Sequence, residues 1–123
     1  MAKLRLTLAA LALVLASLGA LAPVAGATPA EQARIVELTN QARAANGLPP
    51  VSANAALNMS AEAYSLSMAT LNFFDHQGRD GSTFSSRNEA AGYTGWTWMG
   101  ENIAAGQQSA DQVFQAWMNS PSH

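Results

Sequence analysis

The chain has 123 residues, no cysteine, six Lys or Arg and eight Asp or Glu. This length suits one small domain, and a chain without cysteine must fold without disulfides, which is commoner among exported bacterial domains than among small extracellular animal domains. The absence of cysteine also excludes a lipid-modified exported protein. Basic residues are too few to bind a nucleic-acid backbone, so nucleic acid is excluded as a partner.

The N-terminal segment has the features of a signal peptide. Lys3 and Arg5 precede an apolar run over residues 6–22, and residues 25–27 are small, as signal peptidase requires. The run is nearly long enough to cross a bilayer, but the cleavage pattern favours export over an uncleaved membrane anchor. We therefore predict a signal peptide over residues 1–27 and a secreted protein. Cleavage leaves four arginines against eight carboxylates, a formal charge of −4.

The first two predicted helices follow the signal peptide directly. Thr28-Pro29-Ala30-Glu31 is a capping box with proline at the first helical position, and Asn46-Gly47 ends the helix that it opens. A second helix begins near Ser52 or Asn54, since apolar residues then recur at steps of three and four. It ends at Phe73-Phe74-Asp75-His76.

Two further helices and one extended segment are predicted in the second half of the chain. The third helix runs from Ser82 or Thr83 to Ala91, and the fourth starts at Ser109. Only residues 96–104 have the pattern of an extended segment. Four amphipathic helices with at most one strand leave their apolar faces without a second layer to cover them. We therefore expect the sequence to stop short of a complete fold.

Five segments of the chain carry a family resemblance: Leu38–Arg43 with Gly47-Leu48, Phe73–His76, Ala90–Tyr93, Gly100–Ala104 and Ala116–His123. In this order and with this spacing, they resemble the CAP superfamily (cysteine-rich secretory, antigen 5 and pathogenesis-related 1 proteins) in its bacterial SCP-like extracellular form. The resemblance implies an α+β fold, the α-β-α sandwich. It also implies that residues 28–123 form the N-terminal two-thirds of the domain, mostly helical with few strands and with the C-terminal strands missing.

The resemblance also implies where the functional site lies. His76 and Glu101 match two family residues that converge on one cleft, and His123 matches the histidine of the bacterial Ser-Pro-x-His segment. The resemblance thus implies a ligand-binding cleft formed by His76, Glu101 and His123, with the same three residues as metal ligands. The sequence assigns no catalytic residue and no certain cofactor. Zinc or another divalent ion suits imidazole and carboxylate donors.

His76 also has a purely structural interpretation, whereas Glu101 is harder to interpret as a surface residue. His76 follows a helix, where an imidazolium can interact favourably with the last carbonyls. Glu101 lies in an apolar segment, where burying a carboxylate costs free energy unless it has a partner. Asp75 and Asp80 resemble a fragment of a calcium loop, but the alternating oxygen ligands are absent, so we predict a solvated turn.

Three classes of function follow from the resemblance and the motifs. The first is a secreted binding module for a divalent metal, a small apolar ligand such as a lipid or sterol, or a cell-envelope component. The second is a secreted hydrolase of peptides or esters that uses the same cleft, although the chain lacks a Gly-x-Ser-x-Gly elbow, a His-Glu-x-x-His helix and a cysteine nucleophile. The third is a structural envelope protein. We predict the binding module, as a monomer free of the membrane after signal cleavage, rather than an enzyme.

Overall fold

The structure, a computed structural model, describes residues 26–123, which contain four α-helices. The predicted signal peptide lies outside the described residues except for its last two positions. Within residues 26–123, no helix has the length and apolar character needed to cross a membrane. The helices are α1 (Pro29–Ala45), α2 (Ala55–Leu71), α3 (Phe84–Ala90) and α4 (Ala110–Met118).

Each helix begins after a side chain that accepts a hydrogen bond from the backbone of the first turn, which satisfies a free N–H group. This confirms the predicted starts and selects one of the two predicted residues for α2 and for α3. Gly47 and Gly92, with φ of 68° and 100°, follow α1 and α3 in the left-handed conformation that suits glycine. The residues that cap the helix starts are Thr28, Asn54, Thr83 and Ser109.

The helices pack in two pairs, α1 against α4 and α2 against α3. Leu38 of α1 and Ala110 of α4 are buried, as is Tyr64 of α2. A two-point ion pair also joins α1 to α4: Arg34 Nη2 lies 2.8 Å from Asp111 Oδ1, and Arg34 Nε lies 3.0 Å from Asp111 Oδ2. The first and last helices of the chain are therefore neighbours in space.

Residues 26–123 contain no β-strand. The segment 96–104, predicted to be extended, is irregular and pairs with no other described segment. A strand is held by backbone hydrogen bonds to a neighbouring strand, and no such neighbour is present here. The described residues therefore show the helices of the predicted α+β fold and not its sheet. Several large apolar side chains are left exposed: Met59, Leu71, Phe74, Trp98 and Met118.

The irregular segment before α4 is nevertheless fixed at both ends. Asn88 Nδ2 of α3 lies 3.5 Å from Met99 Sδ, and Trp117 Nε1 of α4 donates to the carbonyl of Ile103 at 3.1 Å. Glu101 lies between these two attachments. The fold thus holds this carboxylate in place without a β-ladder.

Candidate functional site

The turn after α2 positions His76. Asn72 takes the left-handed conformation with φ of 51° at the C-cap, which turns the chain away from the helix. Two hydrogen bonds then hold Asp75: its carbonyl accepts from the Tyr64 hydroxyl at 2.5 Å, and its carboxylate accepts from the N–H of Gln77 at 2.9 Å. The residues on both sides of His76 are therefore held.

The following loop confirms the predicted turn. Asp80 Oδ1 accepts a hydrogen bond from the backbone N–H of Ser82 at 2.9 Å. Hydrogen bonding to the side chain of Ser82, and secondly to its backbone, lowers the pKa of Asp80. Gly81, with φ of 82°, supplies the left-handed residue that the turn requires. The carboxylates of Asp75 and Asp80 thus accept hydrogen bonds from their own loop.

The structure brings His76 and Glu101 together. His76 Nδ1 lies 2.8 Å from Glu101 Oε1, although 25 residues separate the two in the chain. The His76 side chain is 54% exposed, whereas that of Glu101 is 18% exposed. The pair therefore joins an accessible imidazole to a largely buried carboxylate.

Arg87 of α3 is the third member of this cluster. Its Nη2 donates to Glu101 Oε2 at 2.8 Å and to the carbonyl of His76 at 3.2 Å. Its Cζ lies 3.3 Å from the centroid of the Tyr64 ring. The sequence indicated that a buried Glu101 needs a partner, but nothing in the local pattern identified Arg87. Both carboxylate oxygens of Glu101 therefore have a partner: Oε1 contacts His76 Nδ1, and Oε2 accepts from Arg87 Nη2.

The ring of Tyr64 lies against the guanidinium of Arg87. Burial raises the pKa of its hydroxyl; Arg87 acts in the opposite direction, and Glu101 adds to the increase. The hydroxyl therefore stays protonated at neutral pH and donates to the carbonyl of Asp75. This bond connects the buried face of α2 to the residue just before His76.

All three predicted site residues border one open cavity of about 610 Å³: His76, Glu101 and His123. His123 is held by its own turn, since its Nδ1 lies 2.8 Å from Ser120 Oγ and its backbone N–H donates to the carbonyl of Ser120. Within residues 26–123, no three His, Cys, Asp or Glu side chains are close enough to hold a metal ion together. The predicted residues thus share a cavity without forming a ready three-ligand site.

A second cavity, of about 560 Å³, shares lining residues with the first. Phe74, Ala104 and Ala105 border both cavities, while Met68 and Phe73 line only the second. Most of these side chains are apolar. The cleft at His76 therefore adjoins an apolar recess.

The sequence model of the cysteine-rich secretory protein family, CAP, matches residues 36–123. The chain belongs to the CAP family. It is also similar to the uncharacterized protein YkwD of Bacillus subtilis (strain 168), with 40% identity over 95 residues. That match covers 76% of this chain but 36% of the relative, so the chain spans little more than a third of the length of that relative. No solved structure matches the chain.

Membership of the CAP family confirms the resemblance seen in the sequence. The family implies an α-β-α sandwich, whereas residues 26–123 show four helices and no strand. The Bacillus relative supports a bacterial origin. CAP proteins are often secreted, which agrees with the predicted signal peptide.

Proposed function

We propose that this CAP chain is a secreted binding module whose cleft, bordered by His76, Glu101 and His123, binds a divalent metal ion, with zinc as the ion to test first. The observation that carries the proposal is the contact of 2.8 Å between His76 Nδ1 and Glu101 Oε1 on the wall of an open cavity. A histidine that binds a metal commonly donates its other ring N–H to a carboxylate. In this cleft, Glu101 lies beside Nδ1 of His76, where such a carboxylate would lie.

Two imidazoles supply the metal donors in this proposal. His76 and His123 each use Nδ1 for a hydrogen bond, to Glu101 and Ser120 respectively, and neither Nε2 atom has a hydrogen-bond partner among residues 26–123. Glu101 orients His76 instead of binding the ion, since both of its oxygens already accept hydrogen bonds. Zinc bound here would attract an anionic or carbonyl oxygen of a ligand in the cleft.

Zinc titration by calorimetry tests this proposal. We expect His76→Ala and His123→Ala each to abolish binding, and Glu101→Gln to weaken it by about 10- to 100-fold, as is typical when the partner of a metal-binding histidine is lost. Glu89→Gln is the matched control, because Glu89 is exposed and accepts a hydrogen bond from Trp96 Nε1. Equal zinc affinities for the wild type and His76→Ala would refute the metal site.

A small apolar ligand, such as a lipid or sterol, is the second candidate. The apolar recess lined by Met68, Phe73 and Phe74 supports it, because it adjoins the cleft at His76 and offers surface that an apolar chain would bury. Such a ligand would place its polar end near His76. The proposed α-β-α sandwich would enclose this region further by adding a central sheet to the helices.

Binding of a fluorescent sterol tests the second candidate. We expect Met68→Glu to abolish binding, since it places a carboxylate in the apolar recess. Met118→Glu is the matched control, because Met118 is 57% exposed on α4 and lines neither cavity. Equal losses in both variants would show that the recess is not the binding site.

Hydrolysis of a peptide or ester is the alternative from another class. The pair of His76 and Glu101 supports it, because a carboxylate-oriented imidazole can act as a general base. No hydroxyl or thiol of residues 26–123 is hydrogen-bonded to the His76 ring, so this chemistry would need water as the nucleophile. Assays of the wild type with peptides and lipid esters, with His76→Ala as control, separate a hydrolase from a binding module.

A further inference from the structure

We propose that Arg87 is a positioning residue that fixes the His76 imidazole in the tautomer with its proton on Nδ1. This inference rests on the proposed metal-binding function, because that tautomer leaves a lone pair on Nε2 for a ligand in the cleft. It assigns to α3 a role in the site that neither the motifs nor the family resemblance indicated.

One nitrogen of Arg87 touches both members of the pair. Nη2 donates to Glu101 Oε2 at 2.8 Å and to the backbone carbonyl of His76 at 3.2 Å. The same atom therefore sets the position of the carboxylate and of the backbone that carries the imidazole. Because Glu101 lies in an irregular segment, no strand pairing would otherwise fix its distance from His76.

The guanidinium is itself held from two other directions. Arg87 Nη1 donates to the carbonyl of Ser82 at 3.1 Å, and the Arg87 Cζ lies 3.3 Å from the centroid of the Tyr64 ring. The Arg87 side chain is only 13% exposed. Its plane is thus fixed between α2 and the loop that precedes α3, so it can act as a rigid support.

Hydrogen-bond chemistry then decides the tautomer. An arginine can only donate, so Glu101 Oε2 must accept from it, and Oε1 is left facing His76 Nδ1 at 2.8 Å. An ionised carboxylate can only accept, which requires the proton of the neutral ring to lie on Nδ1. Without Arg87, Glu101 could rotate towards water and the ring would exchange freely between its two tautomers.

The test is the nitrogen-15 spectrum of the histidine rings in the metal-free protein. Spectra are recorded at about pH 8, above the ordinary histidine pKa of about 6.5, and His123→Ala assigns the signals. We expect the Nδ1–H tautomer for His76 in the wild type and a mixture of both tautomers in Arg87→Gln. Arg87→Lys keeps the charge but lacks the planar fork, so it should also give a mixture.

Arg79→Gln is the matched control. Arg79 also lies over an aromatic ring, 5.1 Å from the centroid of Phe73, but makes no hydrogen bond to His76 or Glu101. Its spectrum should equal that of the wild type. Zinc affinity should fall by about 10- to 100-fold in Arg87→Gln and stay unchanged in Arg79→Gln.

Two results would overturn the inference. One is an Nε2–H tautomer for His76 in the wild type, a measurement that does not depend on whether any variant folds. The other is a folded Arg87→Gln or Arg87→Lys protein that keeps the Nδ1–H tautomer. Failure of the proposed function gives a different result, namely an Nδ1–H ring in a wild type that does not bind zinc.

Discussion

The hydroxyl of Tyr64 donates a hydrogen bond to the backbone carbonyl of Asp75, with 2.5 Å between the two oxygens. Tyr64 is the most buried residue of α2, and Asp75 immediately precedes His76. The same ring lies under the guanidinium of Arg87. The packing of α2 and the geometry of the cleft therefore depend on one side chain.

Tyr64→Phe should lower the free energy of unfolding by about 1 kcal/mol, the usual net value of one hydrogen bond. The phenylalanine ring keeps the apolar burial and the contact with Arg87, so the loss isolates the hydroxyl. Urea denaturation measures the change. Tyr93→Phe is the matched control, because the Tyr93 hydroxyl forms no hydrogen bond within residues 26–123, and its stability should equal the wild type. Equal stability of Tyr64→Phe and the wild type would contradict this account.

Glu101→Gln should destabilise the protein by about 2 kcal/mol, because it replaces two charge-assisted hydrogen bonds and leaves the largely buried Arg87 without its carboxylate. The measurement is again the unfolding free energy in urea. Glu89→Gln keeps an oxygen to accept from Trp96 and should change stability by less than about 0.5 kcal/mol. A similar effect of both substitutions would mean that Arg87 does not depend on Glu101.

The ion pair between α1 and α4 should make stability depend on pH. The hydrogen-bonded guanidinium of Arg34 lowers the pKa of Asp111 in the folded state. The ion pair therefore contributes its full stabilisation at pH values above the pKa of about 3.9 that aspartate has in the unfolded chain. This stabilisation is lost as the pH falls through the lower pKa that Asp111 has in the folded protein. Near neutral pH the wild type should have a higher melting temperature than Asp111→Asn, and the two melting temperatures should converge in acid.

The effect at Asp111 should be small and should shrink in high salt, since both partners are exposed. Glu62→Gln removes the same charge from a side chain that forms no ion pair within the described part of the chain, so its melting temperature should follow the wild type at each pH. A gap between Asp111→Asn and the wild type that persists in acid would point to lost packing instead of lost charge.

Export should remove residues 1–27 and leave Thr28 at the N-terminus. The charged start, the apolar run and the small residues before the cleavage point carry this prediction. Intact-mass measurement of the protein in the medium checks it. Ala27→Arg should block cleavage, because the position before the cut must be small. A secreted product that still begins at Met1 would contradict the prediction.

The helices could be predicted from the sequence because their signals are local. A capping side chain and the N–H group that it binds lie within a few residues of each other, as Thr28 and Glu31 do, and apolar spacing repeats within one turn. The sequence allows α2 to start at Ser52 or at Asn54 because either residue can cap a helix. The structure selects Asn54, whose side chain accepts from two N–H groups.

The pairing of His76 with Glu101 was suggested by the family resemblance, whereas the part played by Arg87 was not. The carboxylate needs a partner by its own chemistry, and that much can be inferred from its apolar surroundings in the sequence. Which cation pairs with Glu101 depends on how α3 packs beside α2, and no repeat or spacing in the sequence encodes that packing. The sequence therefore shows Arg87 only as one positive charge.

The helices, the caps of α1 and α4, the turn at Asp80 and the family can be predicted from the sequence alone, since each depends on neighbouring residues or on motifs in order. The tertiary structure decided which residues meet: Arg34 with Asp111, Tyr64 with Asp75, and Arg87 with both His76 and Glu101. It also decided that residues 96–104 form no strand among the described residues. The physical reason is common to these cases, because ion pairs, buried hydrogen bonds and strand pairing need partners from distant parts of the chain, and only packing brings such partners together.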